Sequence, residues 1–242
     1  LGQVCEWITK GTTPKSHKLH DKPSDEAPIP FLKVYNLTFD GMLDFNINPT
    51  FISEEVHTQE LARSIVLPGD VLMNIVGPPL GKVSVVPPLH PEWNMNQAIV
   101  RYRPILGLDT KFLSYLLLTE SILIRAKRRA KATAGQFNLT LKICRELPIP
   151  LPPLAEQRRI VAEVERRLSL IAQAEAIIDT NLKRAARLRQ SILKRAFEGK
   201  LVAQDESDEP ASALLARIQA EKPKAVKKSR KSKTKKTRRK KA

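Results

Sequence analysis

The sequence predicts an α+β protein with a strand-rich globular domain, a long coiled-coil-forming α-helix and a disordered basic tail, in that order. Three observations predict this. Short apolar stretches separated by Gly and Pro turns fill the first part, as in sheets of short strands. A helical apolar period without Pro or Gly follows, and the last residues are mostly Lys and Arg. We therefore divide the chain into residues 1–150, 151–200, 201–221 and 222–242.

The strand-rich domain is predicted from apolar alternation and turn residues. The stretch 15–28 is polar and is expected to be a surface loop, and Ser53 is the expected N-cap of a helix over 53–63. The predicted strands are 4–8, 29–35, 66–76, 81–86 and 97–103. A second helix is predicted over 110–131, capped by Asp109 or Thr110, followed by a loop over 133–139 and a short segment over 140–146.

The long helix is predicted from about Ala155 to Phe197, with Gly199 as its C-terminal stop. Its roughly 44 residues correspond to about 66 Å. Apolar residues recur at alternating three- and four-residue steps, which predicts helix packing. They are Val161, Val164, Leu168, Ile171, Ile178, Leu182, Ala185 and Ile192. The helix either packs on its own domain or, being longer than that domain, needs a partner helix. A last short helix is expected over 210–218.

Composition and charge favour a soluble, cytoplasmic protein. No window approaches the roughly 18 uninterrupted apolar residues of a membrane span. The two cysteines, Cys5 and Cys144, form no Cys-x-x-Cys pair, which predicts neither a disulfide framework nor a zinc site. Of the net charge of +17, 13 charges belong to residues 222–242. This tail is either an electrostatic attractor of phosphates or a solubilising end.

The order of several short motifs resembles the specificity subunit of type I DNA restriction–modification systems. The most specific motifs are the Pro-rich segment Leu147–Gln157 and the helix end Gly199-Lys200-Leu201. The others are Gly11-Thr12-Thr13-Pro14, Gly69-Asp70-Val71-Leu72, Gly81-Lys82-Val83 and Asn96-Gln97-Ala98. That subunit has two target-recognition domains, each followed by a long helix. This chain, which does not begin with Met, resembles the second half of one; a natural half-subunit that dimerises would also fit.

The resemblance implies a non-catalytic reader of double-stranded DNA that recognises one half of a split target. It implies modification (methyltransferase) subunits docked on the helix, a restriction (motor–nuclease) subunit, and a second long helix from the missing half or another copy. No cofactor is expected on this chain, while S-adenosylmethionine, ATP and Mg are expected on the partner subunits. No membrane is expected as a partner. The helix pair would set the spacing between the two readers.

Candidate DNA contacts are polar residues of the predicted loops, because amide and basic side chains pair with base edges. The candidates for base contacts are Lys10, Thr12, Thr13, Lys15, His17, Lys18, Lys33, Asn36, Lys82, Asn94, Asn96, Gln97, Gln136 and Asn138. Those for phosphate contacts are Arg101, Arg103, Arg128, Arg129 and Lys131. For each, a solvated surface residue is the alternative. Asn96-Gln97 and the stretch 135–138 also fit buried amides that satisfy loop backbone.

The sequence offers little support for other functions. His17 and His20 lack the further ligands of a metal site, and no P-loop string is present. Gly77-Pro78-Pro79-Leu80 lacks the amide and aromatic residues expected of an adenine methyltransferase motif, and Glu198-Gly199-Lys200 fits a helix end better than a nuclease site. A coiled-coil assembly adaptor whose globular head binds protein rather than DNA remains the alternative function.

Overall fold

The structure is a computed structural model that describes residues 1–133, 136–203 and 205–221, with the side chains of 131–133 and 136 left out. It divides into two compact units at 173/174, within the long helix. The strands are β1 Cys5–Lys10, β2 Ile29–Leu32, β3 Phe51–Ile52, β4 Ile65–Val66, β5 Val71–Asn74, β6 Val76–Gly77, β7 Val83–Val85, β8 Trp93–Met95, β9 Ile99–Pro104, β10 Lys131–Thr133 and β11 Gln136–Asn138. The α-helices are α1 Thr110–Leu118, α2 Glu120–Arg129, α3 Leu141–Arg145, α4 Leu154–Phe197 and α5 Ala211–Glu221.

The central sheet of the first unit has the strand order β1-β9-β5-β7, with every neighbouring pair antiparallel. Successive residues of a strand point to opposite faces. One face therefore carries Ile8, Tyr102 and Val71, which pack with Phe112 and Leu113 of α1 in the main hydrophobic core. The opposite face of the same sheet meets a second sheet.

The second sheet has the order β3-β2-β8-β4 and packs on the central sheet through a separate apolar cluster. Leu72 and Ile99 of the central sheet meet Leu32, Trp93 and Met95 of the second sheet there. Strand β1 is an edge of the central sheet and β4 is an edge of the second sheet. These two edges frame the cleft described below.

Several predicted elements differ from the structure in detail. The predicted strand 29–35 ends at Leu32 and continues as a 3-10 turn, and the helix predicted over 53–63 consists of π-helical and 3-10 turns. Helix 110–131 is two helices, because the extended backbone of Thr119 separates α1 from α2. Where a loop was predicted over 133–139, the strands β10 and β11 form an antiparallel pair, and β11 also pairs with β6.

The long helix was predicted correctly as α4, Leu154–Phe197, after the strand-rich domain. Its first turns belong to the first unit, where Val161 joins the main core. Gln157 is fully buried, and its side chain accepts a hydrogen bond from Asp109 N (2.8 Å) and donates to Gly107 O (3.0 Å) and Pro152 O (2.9 Å). The Pro-rich segment and α4 are thus fastened to the loop before α1.

The second unit consists of the remainder of α4 and, after a turn, α5. The large apolar side chains of both helices are exposed, among them Ile178, Leu182, Ile192, Leu215 and Ile218. The tail predicted to be disordered, residues 222–242, lies outside the described residues.

The two cysteines, Cys5 and Cys144, are both buried and free. Among the helices within 1–133, 136–203 and 205–221, none has the length and apolar character needed to cross a bilayer.

Candidate nucleic-acid interface

Four loops that carry candidate residues are in contact with one another in the first unit. We call residues 11–14, 33–36, 77–82 and 96–98 the loop rim. Gly11 permits the closest approach, because a Cβ at this position would lie 2.2 Å from the carbonyl oxygens of Met95 and Asn96. Any side chain would therefore push the loop 11–14 off its neighbour, which explains a glycine here.

Hydrogen bonds join the loops of the rim to one another. Thr12 N donates to Met95 O (3.2 Å), and Asn96 N donates to Leu32 O (2.9 Å). Lys82 Nζ donates to Val34 O (3.3 Å) and lies 5.8 Å from the ring centroid of the exposed Phe39. The sequence-predicted residues that meet at the rim with exposed or half-buried side chains are Thr12, Thr13, Lys33, Lys82, Asn96 and Gln97.

Asn74 was not among the sequence candidates, yet it shapes the rim. This buried amide accepts hydrogen bonds from Gly81 N (3.1 Å) and Lys82 N (3.0 Å) and donates to Pro79 O (2.8 Å). These hydrogen bonds hold the backbone of the turn 77–82 in place. Its position at the end of a buried strand, just before a Gly- and Pro-rich turn, was the available signal.

Two candidates for base contacts, Asn36 and Asn94, require correction because both are buried (1% and 0% exposed). Asn36 accepts from Lys33 N and donates to Asp44 O and Ile47 O. Asn94 accepts from Met95 N and donates to Leu61 O and to the ring of His57. With their hydrogen-bonding groups engaged by the fold, we remove both from the set of base contacts.

A cleft of about 780 Å³ opens between the edges of the two sheets and holds four candidates, Lys10, Thr12, Arg101 and Arg103. We call it the β1–β9 cleft. In the antiparallel register Thr9 lies opposite Arg101 and Trp7 opposite Arg103, so these four side chains share one face of the central sheet. Sequence reasoning missed Trp7, Thr9 and Arg63 of this wall. The period-2 pattern of β1 was the available signal, but its pairing with β9 spans over ninety residues.

The buried carboxylate of Asp70 organises the arginines of the cleft. It accepts both Nε and Nη2 of Arg103 at 2.8 Å, and it also accepts Leu67 N. These hydrogen bonds raise the pKa of Arg103, whereas burial lowers the pKa of Arg101, whose Nε lies 4.0 Å from Asp70 Oδ2. Arg103 is thus neutralised by a bidentate pair, and Arg101 is only partly compensated.

The remaining candidates lie elsewhere on the first unit. Lys15 and His17 are exposed on the loop before β2, while Lys18 and Arg129 form ion pairs with Glu60 and Glu146. Arg128 is exposed near the end of α2, and Asn138 is exposed on β11. The side chains of Lys131 and Gln136 lie outside the described residues.

The apolar residues of α4 were predicted either to pack on the helix's own domain or to need a partner helix. Val161 packs into the core, and Val164 lines an apolar groove with Leu168, Tyr115 and Phe39. The other predicted packing residues, Ile171, Ile178, Leu182, Ala185 and Ile192, are exposed. The first turns of the helix therefore pack on its own domain.

The arrangement of domain, Pro-rich segment and long helix can be compared with known proteins. The family model of the type I restriction modification DNA specificity domain matches residues 1–179. The chain belongs to this family. The specificity subunit of the EcoBI type I restriction enzyme of Escherichia coli is 29% identical over 83% of this chain, and that of EcoDI is 35% identical over 47%.

Solved structures agree with membership of the specificity family. A chain from work on complex assembly and conformational transition of the type I R-M system superposes with a TM-score of 0.60 at 26% identity, covering 83% of this chain. The HsdS subunit of Thermoanaerobacter tengcongensis shares the fold with a TM-score of 0.59 at 20% identity. The chain spans 43% of the EcoBI subunit and 45% and 50% of the two structures, so it matches about half of such a subunit.

Proposed function

We propose that this chain is the DNA-reading half of a type I specificity subunit, which recognises one half of a split target and has no catalytic role of its own. The observation that carries the proposal is the match of residues 1–179 to the DNA specificity domain. In this account the loop rim reads bases, and the exposed Arg128 is a candidate for a phosphate contact. Amide and hydroxyl groups such as those of Gln97 and Thr13 suit base edges.

The geometry of the rim supports base reading in one specific way. Exposed polar side chains stand on loops that are fastened to each other and to two packed sheets by backbone hydrogen bonds. Because the loops are already held in place, less conformational entropy is lost when DNA binds. The same rigidity prevents the polar side chains from rearranging to pair with a wrong base, which favours the correct base. Thr13 Oγ1 at 3.5 Å from Gln97 N illustrates this coupling between two loops.

Helix α4 has a second role in the proposal, as spacer and docking surface. Its exposed apolar row needs a second long helix, supplied by another half-subunit or another copy, and its length would then separate two DNA readers. Modification subunits would dock on this helix pair and carry S-adenosylmethionine, and a restriction subunit with ATP and Mg would join them. The hydrogen bonds of Gln157 would hold the first turns of this helix against the DNA-reading domain.

Fluorescence anisotropy with duplexes that carry the host's methylated motif tests the reading role. Affinity should fall steeply between about 50 and 200 mM salt, also after removal of residues 222–242. Gln97→Ala should reduce discrimination against single base-pair changes about tenfold, since a good amide–base pair contributes roughly 1–3 kcal/mol. The matched control is Gln173→Ala, an exposed amide on α4. A salt-independent response with no preference for the motif would instead favour the adaptor that binds protein.

A further inference from the structure

The β1–β9 cleft has the composition of a ligand site. Its walls combine the half-exposed indole of Trp7 (50% exposed) and the apolar side chains of Ile65 and Leu67 with the cations Lys10 and Arg63. A volume of about 780 Å³ falls within the roughly 300–1,000 Å³ of small-molecule sites. An apolar wall beside convergent charges suits a ligand with a planar body and an anionic group.

Two buried polar atoms on the cleft wall have no hydrogen-bond partner among the described residues. They are Arg101 Nε and Thr9 Oγ1, which belong to directly opposite residues of β1 and β9. Arg101 is only 5% exposed. Arg101 Nε lies 4.0 Å from Asp70 Oδ2, beyond hydrogen-bonding distance, so Arg101 is held beside the cleft with part of its hydrogen-bonding capacity unused.

The cleft has more basic than acidic groups. Asp70 holds Arg103 through two hydrogen bonds of 2.8 Å, and Glu92 in the cleft wall lies 2.9 Å from His57 Nε2. Within 1–133, 136–203 and 205–221, neither Lys10 nor Arg63 forms an ion pair. The four cations of the cleft wall exceed Asp70, Glu92 and the neighbouring Glu6 by one charge.

We propose that the β1–β9 cleft binds a nucleotide, with its phosphate held by Arg101, Arg63 and Lys10 and its base against Trp7. Guanidinium groups bind phosphate through two parallel hydrogen bonds. Any of the four bases can stack on an aromatic side chain, because each has a flat π-face. The nucleotide is either a unit turned out of a DNA strand or a free mononucleotide. The first case rests on the proposed DNA-reading function; the second does not.

The two tryptophans of the chain provide the readout. Trp7 lines the cleft, whereas Trp93 is fully buried in the second apolar cluster. A ligand that stacks on the indole of Trp7 should therefore change the fluorescence of Trp7 and leave that of Trp93 unchanged. Titration with dAMP should give a saturable change that Trp7→Phe abolishes. Inorganic phosphate, which lacks the base, should bind at least about tenfold more weakly.

Substitutions at the cationic wall complete the test. Arg63→Met, at an exposed position, and Arg101→Lys, which retains the charge, should each weaken dAMP binding about tenfold, as expected for loss of a charged hydrogen bond. Arg184→Met, on the exposed surface of α4, is the matched control and should leave the affinity within about twofold. Unchanged affinity in both cleft variants, or no saturable signal, overturns the proposal.

A duplex that contains one unpaired deoxyadenosine distinguishes the two possible sources of the nucleotide, a DNA strand and a free mononucleotide. Tighter binding of this duplex than of dAMP, lost in Arg63→Met, identifies a unit of the strand. Tighter binding of free dAMP identifies a mononucleotide site. If neither ligand affects Trp7 while anisotropy still shows motif preference, the cleft proposal fails and the DNA-reading function stands.

Discussion

Gln157 is the residue whose replacement tests the junction between domain and helix most sharply. Its buried amide satisfies three backbone groups, namely Asp109 N, Gly107 O and Pro152 O, at 2.8, 3.0 and 2.9 Å. Gln157→Leu retains most of the side-chain volume but removes all three hydrogen bonds. Each buried group left unpaired costs about 1–3 kcal/mol, and water entering from the nearby surface restores part of this.

We therefore expect the free energy of unfolding to fall by about 3 kcal/mol in Gln157→Leu, which corresponds to about 6–12 °C in Tm for a domain of this size. Urea unfolding followed by the emission of the buried Trp93 measures the loss. Arg158→Ala, at the adjacent exposed position of α4, should change the free energy by no more than about 0.5 kcal/mol. A Gln157→Leu variant within about 0.5 kcal/mol of the parent would refute the fastening role of this residue.

Two further predictions concern the arginine cluster and the helix surface. Asp70→Asn should destabilise the domain by about 3–5 kcal/mol in the same urea experiment. Asp70 is 2% exposed, and its replacement leaves the charge of Arg103 uncompensated. A loss of stability below about 1 kcal/mol would contradict this prediction. Replacing both Leu168 and Ile171 by Asp should abolish co-purification with the cognate modification subunit while leaving the domain folded, since these side chains are 45% and 54% exposed. Gln173→Asp on the same helix is the control, and retained assembly of the double variant would exclude α4 as the docking element.

The elements that could be predicted from the sequence are those specified by local pattern. The apolar period from Val161 onward and Gly199 defined α4 almost to the residue. Of the two caps predicted for the helix over 110–131, Asp109 or Thr110, the structure has Asp109, whose side chain accepts a hydrogen bond from Phe112 N at 3.0 Å. The strand pair β10–β11 was missed because both strands are short and carry little apolar pattern, and because the pairing of β11 with Val76 and Gly77 is long-range.

The candidate site shows the same division between local and long-range information. Polar loop residues such as Thr13, Lys82 and Gln97 could be named from composition, and their loops do lie together. Composition could not predict which of these polar residues are buried. Asn36 lies in a polar loop sequence, yet its side chain is buried and hydrogen-bonded to the backbone of Lys33 and Asp44. Trp7 was not named because its partner strand lies far along the chain.

The measurement that tests the central claim most directly is selection of bound duplexes from a random library by the chain, at moderate salt and with residues 222–242 removed. Reading by the loop rim predicts enrichment of one short contiguous motif, and predicts that Gln97→Ala relaxes the preference at a single position while Gln173→Ala changes nothing. Recovery of unenriched sequences, with binding that depends on salt alone, would contradict the claim that this domain reads DNA sequence.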